Sequence, residues 1–269
     1  MNETINKSCP ICQMPVYQLF TRKVLQKHTA DYSHCKQCGL IQATTPHWLE
    51  EAYSNAITSH DIGLLARNIK YSKELTPLLY NTFGLKGTYL DTAGGYGVFT
   101  RLMRDIGFDF QHTDKYCENL FAKRFEATES HYSAITAFEV MEHVIDPIEF
   151  IKTDILPYTP KFIIFSTLTY NGSPPTDDWW YYAFDTGQHI SFYTKDTLDK
   201  IANKLGYSYY SLKGQLHLFV KNEHDTTNIK KASSGGLFNI NGLRIQKMMK
   251  KNKLKKKDSE FVKKAKQCG

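Results

Sequence analysis

Lys86-Gly-Thr-Tyr-Leu-Asp-Thr-Ala-Gly-Gly-Tyr-Gly97 decides the fold. Three residues suited to a strand, Thr88, Tyr89 and Leu90, run into Asp91, and a glycine cluster at Gly94, Gly95 and Gly97 follows. Val98, Phe99, Leu102, Met103 and Ile106 then recur at helical spacing. Strand, tight turn and helix in that order open a doubly wound α/β domain, whose turn receives a nucleotide-like ligand. Glycine suits such a turn because a Cβ would intrude on a close approach. A second mark reinforces the first: Asp114, 23 positions beyond Asp91, closes the next strand-like run, Phe108–Thr113. A carboxylate at about that distance can accept hydrogen bonds from ribose hydroxyls.

Strand and helix signals alternate beyond this point. Leu85–Asp91 is the expected first strand, Phe108–Asp114 the second, the surroundings of Glu126 a poor third, Ser133–Phe138 the fourth and Lys161–Thr167 an apolar fifth. Asp146-Pro147 opens a helix, and Leu198, Ile201, Ala202 and Leu205 mark another, stopped by Gly206. Tyr207–Lys213 and Gln215–Lys221 alternate around Gly214 as a terminal hairpin.

With the acid first and the glycines after it, Asp91, Ala93, Gly94, Gly95 and Gly97 resemble motif I of class I S-adenosylmethionine (SAM)-dependent methyltransferases. That pattern is roughly acid-x-Gly-x-Gly-x-Gly, and here Ala93 replaces the first glycine, with Gly94 beside it. The resemblance continues through Asp114, Phe138-Glu-Val-Met-Glu-His143 and Ile163-Ile-Phe-Ser-Thr167, over roughly residues 60–222. It implies an α/β fold with a Rossmann-like sheet of seven strands and a terminal antiparallel hairpin. It also implies SAM as cofactor, contacted by Asp91, Ala93, Gly94, Gly95, Gly97 and Asp114. Helices ahead of the first strand often cover the SAM pocket in this fold, which makes Arg67 and Asn68 expected contacts of the methionyl carboxylate; the alternative is a solvated helix face.

Six cysteines occur, four of them as Cys9-Pro-Ile-Cys12 and Cys35-Lys-Gln-Cys38. Two such pairs favour metal over disulfides, and four thiolates form a closed tetrahedral site for structural zinc. Residues 1–42 are therefore expected to be a small zinc ribbon.

Glu139, Glu142 and His143 follow the fourth strand at i, i+3 and i+4, one face of a helical turn. Oxygen ligands with an imidazole suit Mg²⁺, Mn²⁺ or Fe²⁺. The motif is similar to the E-x-x-E-H of small-RNA 2′-O-methyltransferases and ubiquinone-biosynthesis O-methyltransferases, which bind a divalent metal there. The RNA enzymes add a downstream histidine, for which His189 is the candidate. A metal would lower the pKa of an acceptor hydroxyl. The alternatives are a metal-free general base at His189 or His143, or structural roles for all four.

Thr169–Tyr193 is a long, aromatic loop with Asp178, Trp179, Trp180, Tyr181 and Tyr182 at its centre. Rings beside carboxylates suit a sugar; the alternative is that the aromatics pack as a lid or local core. A four-cysteine ribbon ahead of a SAM domain with this loop resembles methyltransferases of sugar and surface-polysaccharide biosynthesis, which implies a small-molecule or glycan acceptor.

Of the formal charge of +7, the stretch from Arg244 to Lys266 carries +9 and the remainder −2. The body is thus no nucleic-acid track, and nucleic acid is not an expected partner. The Lys-rich tail admits peripheral contact with an anionic membrane, RNA binding or a solvated end. No apolar run of spanning length and no signal-peptide core occur, so the expected location is cytoplasmic, with the inner face of the membrane open to the tail. The expected organisation is a ribbon (1–42), a helical cap over the SAM pocket (43–84), the methyltransferase domain (85–222), a linker (223–242) and the tail (243–269). O-methylation of a sugar or glycan hydroxyl is the leading function. The alternatives are RNA 2′-O-methylation and a non-catalytic ribbon protein whose SAM pocket has decayed, as Ala93 would suggest.

Overall fold

The computed structural model describes residues 4–53 and 62–222, with 224, 229, 254 and 256–260. In chain order the elements are β1 (Thr4–Ser8), β2 (Pro15–Val24), β3 (His28–His34), β4 (Ile41–Ala43), α1 (Leu49–Ala52), α2 (Leu64–Phe83), β5 (Thr88–Thr92), α3 (Val98–Ile106) and β6 (Asp109–Thr113). After these come β7 (Ala134–Ala137), α4 (Pro147–Phe150), β8 (Phe162–Ser166), β9 (Ser191–Phe192), α5 (Lys195–Lys204), β10 (Tyr207–Ser211) and β11 (Leu216–Lys221). The strands form a five-stranded sheet in the order β1-β2-β3-β4-β9 and a six-stranded sheet in the order β10-β11-β8-β7-β5-β6.

Among the described residues the expected α/β sheet has six strands, against the seven anticipated. The stretch around Glu126 makes a single parallel bridge to His112. Asn119 folds that segment back on itself, donating to the Ala122 carbonyl and to Glu126 Oε1, and the region has few β-branched residues to favour an extended run. The terminal hairpin is present, with Tyr207 opposite Lys221 and Ser211 opposite His217.

The chain divides into two compact units that cut across its order: Met1–Thr58, Phe138–Asp154 and Phe165–Asn222 in one, and Ser59–Ala137, Ile155–Ile164 and Glu223–Gly269 in the other. In the second, β5 pairs in parallel with β6 and with β7. Tyr89 stacks on Phe110 at 4.9 Å, and Phe99 of α3 meets Phe110 edge-on. This buried aromatic seam fixes α3 against the sheet, so the turn joining β5 to α3 is held at both ends. Gly107 (φ 123°) ends α3, where its N–H caps the Met103 carbonyl.

The linker at 223–242 lies outside the described residues except for 224 and 229, as does most of the Lys-rich tail. Asp258, in a helical stretch at 256–260, is buried and pairs with Arg104 of α3.

In the first unit, β4 pairs with β9, so a strand from the long aromatic loop completes the sheet of the cysteine segment. The core joins both regions: Val24, Tyr32, Trp48, Tyr182 and Phe192 are all buried in one cluster. Thr194 caps α5 through a reciprocal pair with Thr197, and both hydroxyls donate to the Cys38 carbonyl. Among the described residues, no helix is long and apolar enough to cross a membrane.

Candidate active site

The four cysteines of the two knuckles converge, with each Sγ within 4.8 Å of the others. Cys9 and Cys38 approach to 3.5 Å and Cys12 and Cys35 to 3.4 Å. These gaps are too long for a disulfide, about 2 Å. They are close to the edge of a tetrahedron with metal–sulfur bonds of about 2.3 Å. Each knuckle closes on its own backbone: Gln13 N–H donates to the Cys9 carbonyl and Gly39 N–H to the Cys35 carbonyl. Gly39 takes φ 79°, and a Cβ there would lie 2.5 Å from the Thr194 methyl. The Cys38 thiol, hydrogen-bonded to Cys9, pulls the Cys9 thiol down to about 5 against the opposing effect of burial. The arrangement is a closed four-sulfur site suited to zinc.

At the end of β5, Asp91 is buried and holds the glycine turn from below. It accepts from Thr136 Oγ1 at 2.7 Å and Thr100 Oγ1 at 3.3 Å. Burial pushes its carboxyl up to about 7, with both threonine bonds acting in the opposite direction. A Cβ on Gly94 would sit 2.5 Å from Asp91 Oδ2 and 2.7 Å from His112 Nδ1, so that glycine is a packing requirement. Gly95 (φ 57°) has nothing within 4 Å of a built Cβ and faces open space. Ala93 adopts φ 50°, making without glycine the left-handed step the turn needs.

Asp114, at the end of β6, accepts from Gly95 N–H at 2.8 Å and from the N–H groups of Tyr116 and Cys117 at 2.7 Å each. Three of a carboxylate's roughly four acceptor directions are thereby used, leaving about one for a ribose hydroxyl. Arg67 and Asn68 lie in the first turns of α2, where the Asn68 amide donates to the Leu64 carbonyl.

After β7 the chain does not continue as the helical turn expected from the spacing. Glu139 takes φ 55°, and a 3₁₀ turn begins only at Met141. Glu139 folds onto Ser166 instead: its N–H donates to Ser166 Oγ, and that hydroxyl donates to Glu139 Oε1 at 2.5 Å. Glu142, His143 and His189 come together, their candidate ligand atoms within 4.8 Å of one another. The two imidazole rings lie 4.9 Å apart and nearly perpendicular. His143 Nδ1 is 3.1 Å from the Gln188 carbonyl, and His189 Nδ1 is 2.7 Å from the Tyr181 carbonyl. A carbonyl only accepts, so the bond to Tyr181 is one that a proton on His189 Nδ1 makes; His143 Nδ1 faces both the Gln188 carbonyl and the Tyr53 hydroxyl, at 2.9 Å. Glu142 is fully buried, and among the described residues neither carboxylate oxygen has a hydrogen-bond partner.

The aromatic loop divides. Tyr181 and Tyr182 are buried in the core cluster, with Trp179 packed against it. Tyr181 OH meets the Leu168 N–H at 3.0 Å, and burial with Glu142 nearby pushes its phenol well above the ordinary value. These rings therefore belong to the core in place of the open sugar platform their sequence suggests: residues far away in the chain cover them. Trp180, 71% exposed, and Asp178 stay on the surface. Asp178 accepts from Thr176 Oγ1. Sequence reasoning passed over Tyr53, Trp48 and Gln188. Tyr53 OH is 2.9 Å from His143 Nδ1, Trp48 donates to the Gly187 carbonyl and the Gln188 carbonyl faces His143 Nδ1. The position of Gln188 beside a candidate ligand was the one available signal.

No curated protein sequence matches the chain. Among solved structures it is similar to the Burkholderia thailandensis 1,6-didemethyltoxoflavin-N1-methyltransferase with bound 1,6-didemethyltoxoflavin and S-adenosylhomocysteine. The identity is 11%, over 76% of this chain and 100% of that one, with a TM-score of 0.50. It is also similar to the magnesium protoporphyrin IX methyltransferase of Synechocystis PCC 6803 with bound SAH, at 13% identity over 64% of this chain and 90% of that one (TM-score 0.41). A plantazolicin methyltransferase in complex with SAH is 12% identical over 73% of this chain and 83% of that one (TM-score 0.44). At such identities the first likeness shows the fold alone. The description "methyltransferase domain" matches residues 64–212, more than half of the chain, from the start of α2 past His189. By that match the chain belongs to the methyltransferase domain family and is a class I SAM-dependent methyltransferase.

Proposed function

We propose that the enzyme methylates a hydroxyl oxygen, with a sugar or glycan as acceptor, and that Glu142, His143 and His189 hold a divalent cation beside which the hydroxyl is activated. The supporting observation is Glu142, whose carboxylate is buried with no hydrogen bond to either oxygen among the described residues. An uncompensated buried charge is costly, and a cation beside it removes that cost. Two imidazoles and a carboxylate suit Mg²⁺, Mn²⁺ or Fe²⁺, and a bound ion supplies a lowered pKa to a coordinated hydroxyl. Each imidazole is held at Nδ1, His189 by the Tyr181 carbonyl and His143 by the Gln188 carbonyl and the Tyr53 hydroxyl, which orients both rings. In the transfer an O–C bond forms at the acceptor as the S–CH₃ bond of SAM breaks. The hydroxyl proton passes to a base, and SAM leaves as S-adenosylhomocysteine.

For SAM, Asp91 and Asp114 shape the glycine turn, Asp91 from beneath Gly94 and Asp114 through the Gly95 N–H. The sugar assignment is supported by the exposed ring of Trp180 near the exposed Asp178 and by the family resemblance of the sequence. The four cysteines are assigned structural zinc on their converging sulfurs. The test is transfer of labelled methyl from SAM to a panel of nucleotide sugars and oligosaccharides, with chelator or with added Mn²⁺ or Mg²⁺. Loss on chelation and rescue by either ion supports the cluster. Indifference to chelator removes it and leaves the histidines as metal-free bases, and transfer to none of the sugars removes the acceptor assignment.

A further inference from the structure

We propose that Gln188 is a positioning residue for the Glu142–His143–His189 cluster, tying both histidines to α1; the proposal rests on that cluster binding a divalent ion. Gln188 acts in three directions at once. Its main-chain carbonyl lies 3.1 Å from His143 Nδ1. Its side-chain Nε2 donates to the carbonyl of Ala52 at 2.8 Å. Its next neighbour in the chain is His189.

Ala52 is the last residue of α1, where carbonyls lack partners within the helix. The Gln188 amide satisfies one of them and thereby sets the orientation of its own peptide. Tyr53, one residue on, closes the arrangement: its hydroxyl lies 2.9 Å from His143 Nδ1 and donates to the Gln188 carbonyl at 3.4 Å. The flanking residues are pinned as well. Gly187, with φ 65°, accepts the Trp48 indole N–H at 2.8 Å. Ile190 N–H donates to the Glu142 carbonyl at 2.8 Å, and its carbonyl accepts from Ala43 N–H at 2.9 Å. Between those anchors the orientation of the Gln188 carbonyl depends on its side chain. A residue of similar length without the amide would free the carbonyl and loosen the orientation of the His143 ring that it faces.

Partners one step removed from a metal typically contribute 10–100-fold to its affinity. The test is Mn²⁺ titration followed by electron paramagnetic resonance, in the full chain, because Mn²⁺ prefers carboxylate and imidazole to thiolate sulfur. Gln188→Met should bind Mn²⁺ roughly 10–100-fold more weakly than the wild type, with SAM affinity unchanged and a drop in stability no larger than that of one lost hydrogen bond to a buried carbonyl. Tyr53→Phe should weaken it less. Equal Mn²⁺ affinity in the wild type and Gln188→Met overturns the role of Gln188 while the metal reading stands. No Mn²⁺ bound by the wild type overturns both. A second measurement needs no variant: ¹⁵N shifts of the metal-free wild type should show His143 protonated at Nδ1, and protonation at Nε2 overturns the proposal even if Gln188→Met fails to fold.

Discussion

Trp48 donates its indole N–H to the carbonyl of Gly187 at 2.8 Å, joining positions 139 residues apart, and both residues are buried. The bond ties the segment that follows the cysteine module to the loop that carries His189. Trp48→Phe leaves a buried carbonyl without this donor and should cost about 1–3 kcal/mol in urea unfolding. Gly187→Ala should cost at least as much. Its Cβ would lie 2.7 Å from Val24 Cγ1 and 3.0 Å from the indole, at a φ of 65° that disfavours alanine. Two variants as stable as the wild type would show that the loop is held by other contacts.

Arg104 and Asp258 form a pair buried on both sides, with Nη2 to Oδ1 at 2.7 Å and Nε to Oδ2 at 2.9 Å. Arg104 also donates to Asp109 and the Phe110 carbonyl and lies over the Phe125 ring. Asp258→Ala removes two charge-assisted bonds and leaves Arg104 its partners Asp109 and the Phe110 carbonyl, so it should destabilise by about 1–3 kcal/mol. Replacing both, as in Arg104→Met with Asp258→Leu, should recover much of that loss. Unfolding temperatures of the three variants check this. If Asp258→Ala matches the wild type, the tail has no anchor at Arg104.

What could be read from the chain, and what could not, divides along the range of the interactions. The β5 turn, the parallel strands, the terminal hairpin and the converging cysteines follow from local spacing, because period, glycine and knuckle chemistry act within a few residues. Glu139 shows the limit. Its spacing from Glu142 implies a shared helical face, yet a left-handed residue and a bond to Ser166, 27 positions away, turn it aside. The pair Tyr181-Tyr182 shows it again. Aromatics among aspartates look like surface, but Val24, Tyr32 and Trp48 bury them, and no local pattern announces partners so distant in sequence. Ala93 misleads in the other direction, since alanine in place of glycine suggests a lost turn, and the turn is made regardless.

Two opposing titrations share one pH window and should largely offset each other there. Burial holds the Asp91 carboxyl up at about 7 in the fold, against about 3.9 in an unfolded chain. The native state therefore binds the extra proton between those values, and this contribution is full at low pH and lost as pH rises towards 7, by up to about 1.4 kcal/mol per pH unit. His217 acts in reverse. It is buried between Tyr209 OH and the Thr167 carbonyl, and burial pulls its imidazole down to about 4. Its contribution is present above about 6.5 and falls away as pH drops towards 4. Between about pH 4 and 6.5, Asp91→Asn should make stability rise with pH relative to the wild type, and His217→Gln should make it fall. Curves parallel to the wild type would refute both assignments.

Zinc at the four cysteines should matter most for β9, a strand that belongs to the cysteine sheet although it lies about 150 residues later in the chain. Ile41 pairs with Phe192 and Gln42 with Ser191, and Ala43 N–H donates to the Ile190 carbonyl. The Cys38 carbonyl takes the hydroxyls of Thr194 and Thr197 just beyond. A four-thiolate site contributes folding energy outright, so removing its metal should loosen what that sheet holds. Metal analysis should find about one zinc per chain. After extraction with a strong chelator, or in Cys12→Ser, hydrogen exchange should speed up first in β3, β4 and β9. The amides of β5 and β7, paired with each other in the second unit, should stay protected. Uniform loss of protection in both sets would mean that the cysteines support the whole chain and not this sheet in particular. Unchanged exchange in β9 would mean that its pairing with β4 does not depend on the metal.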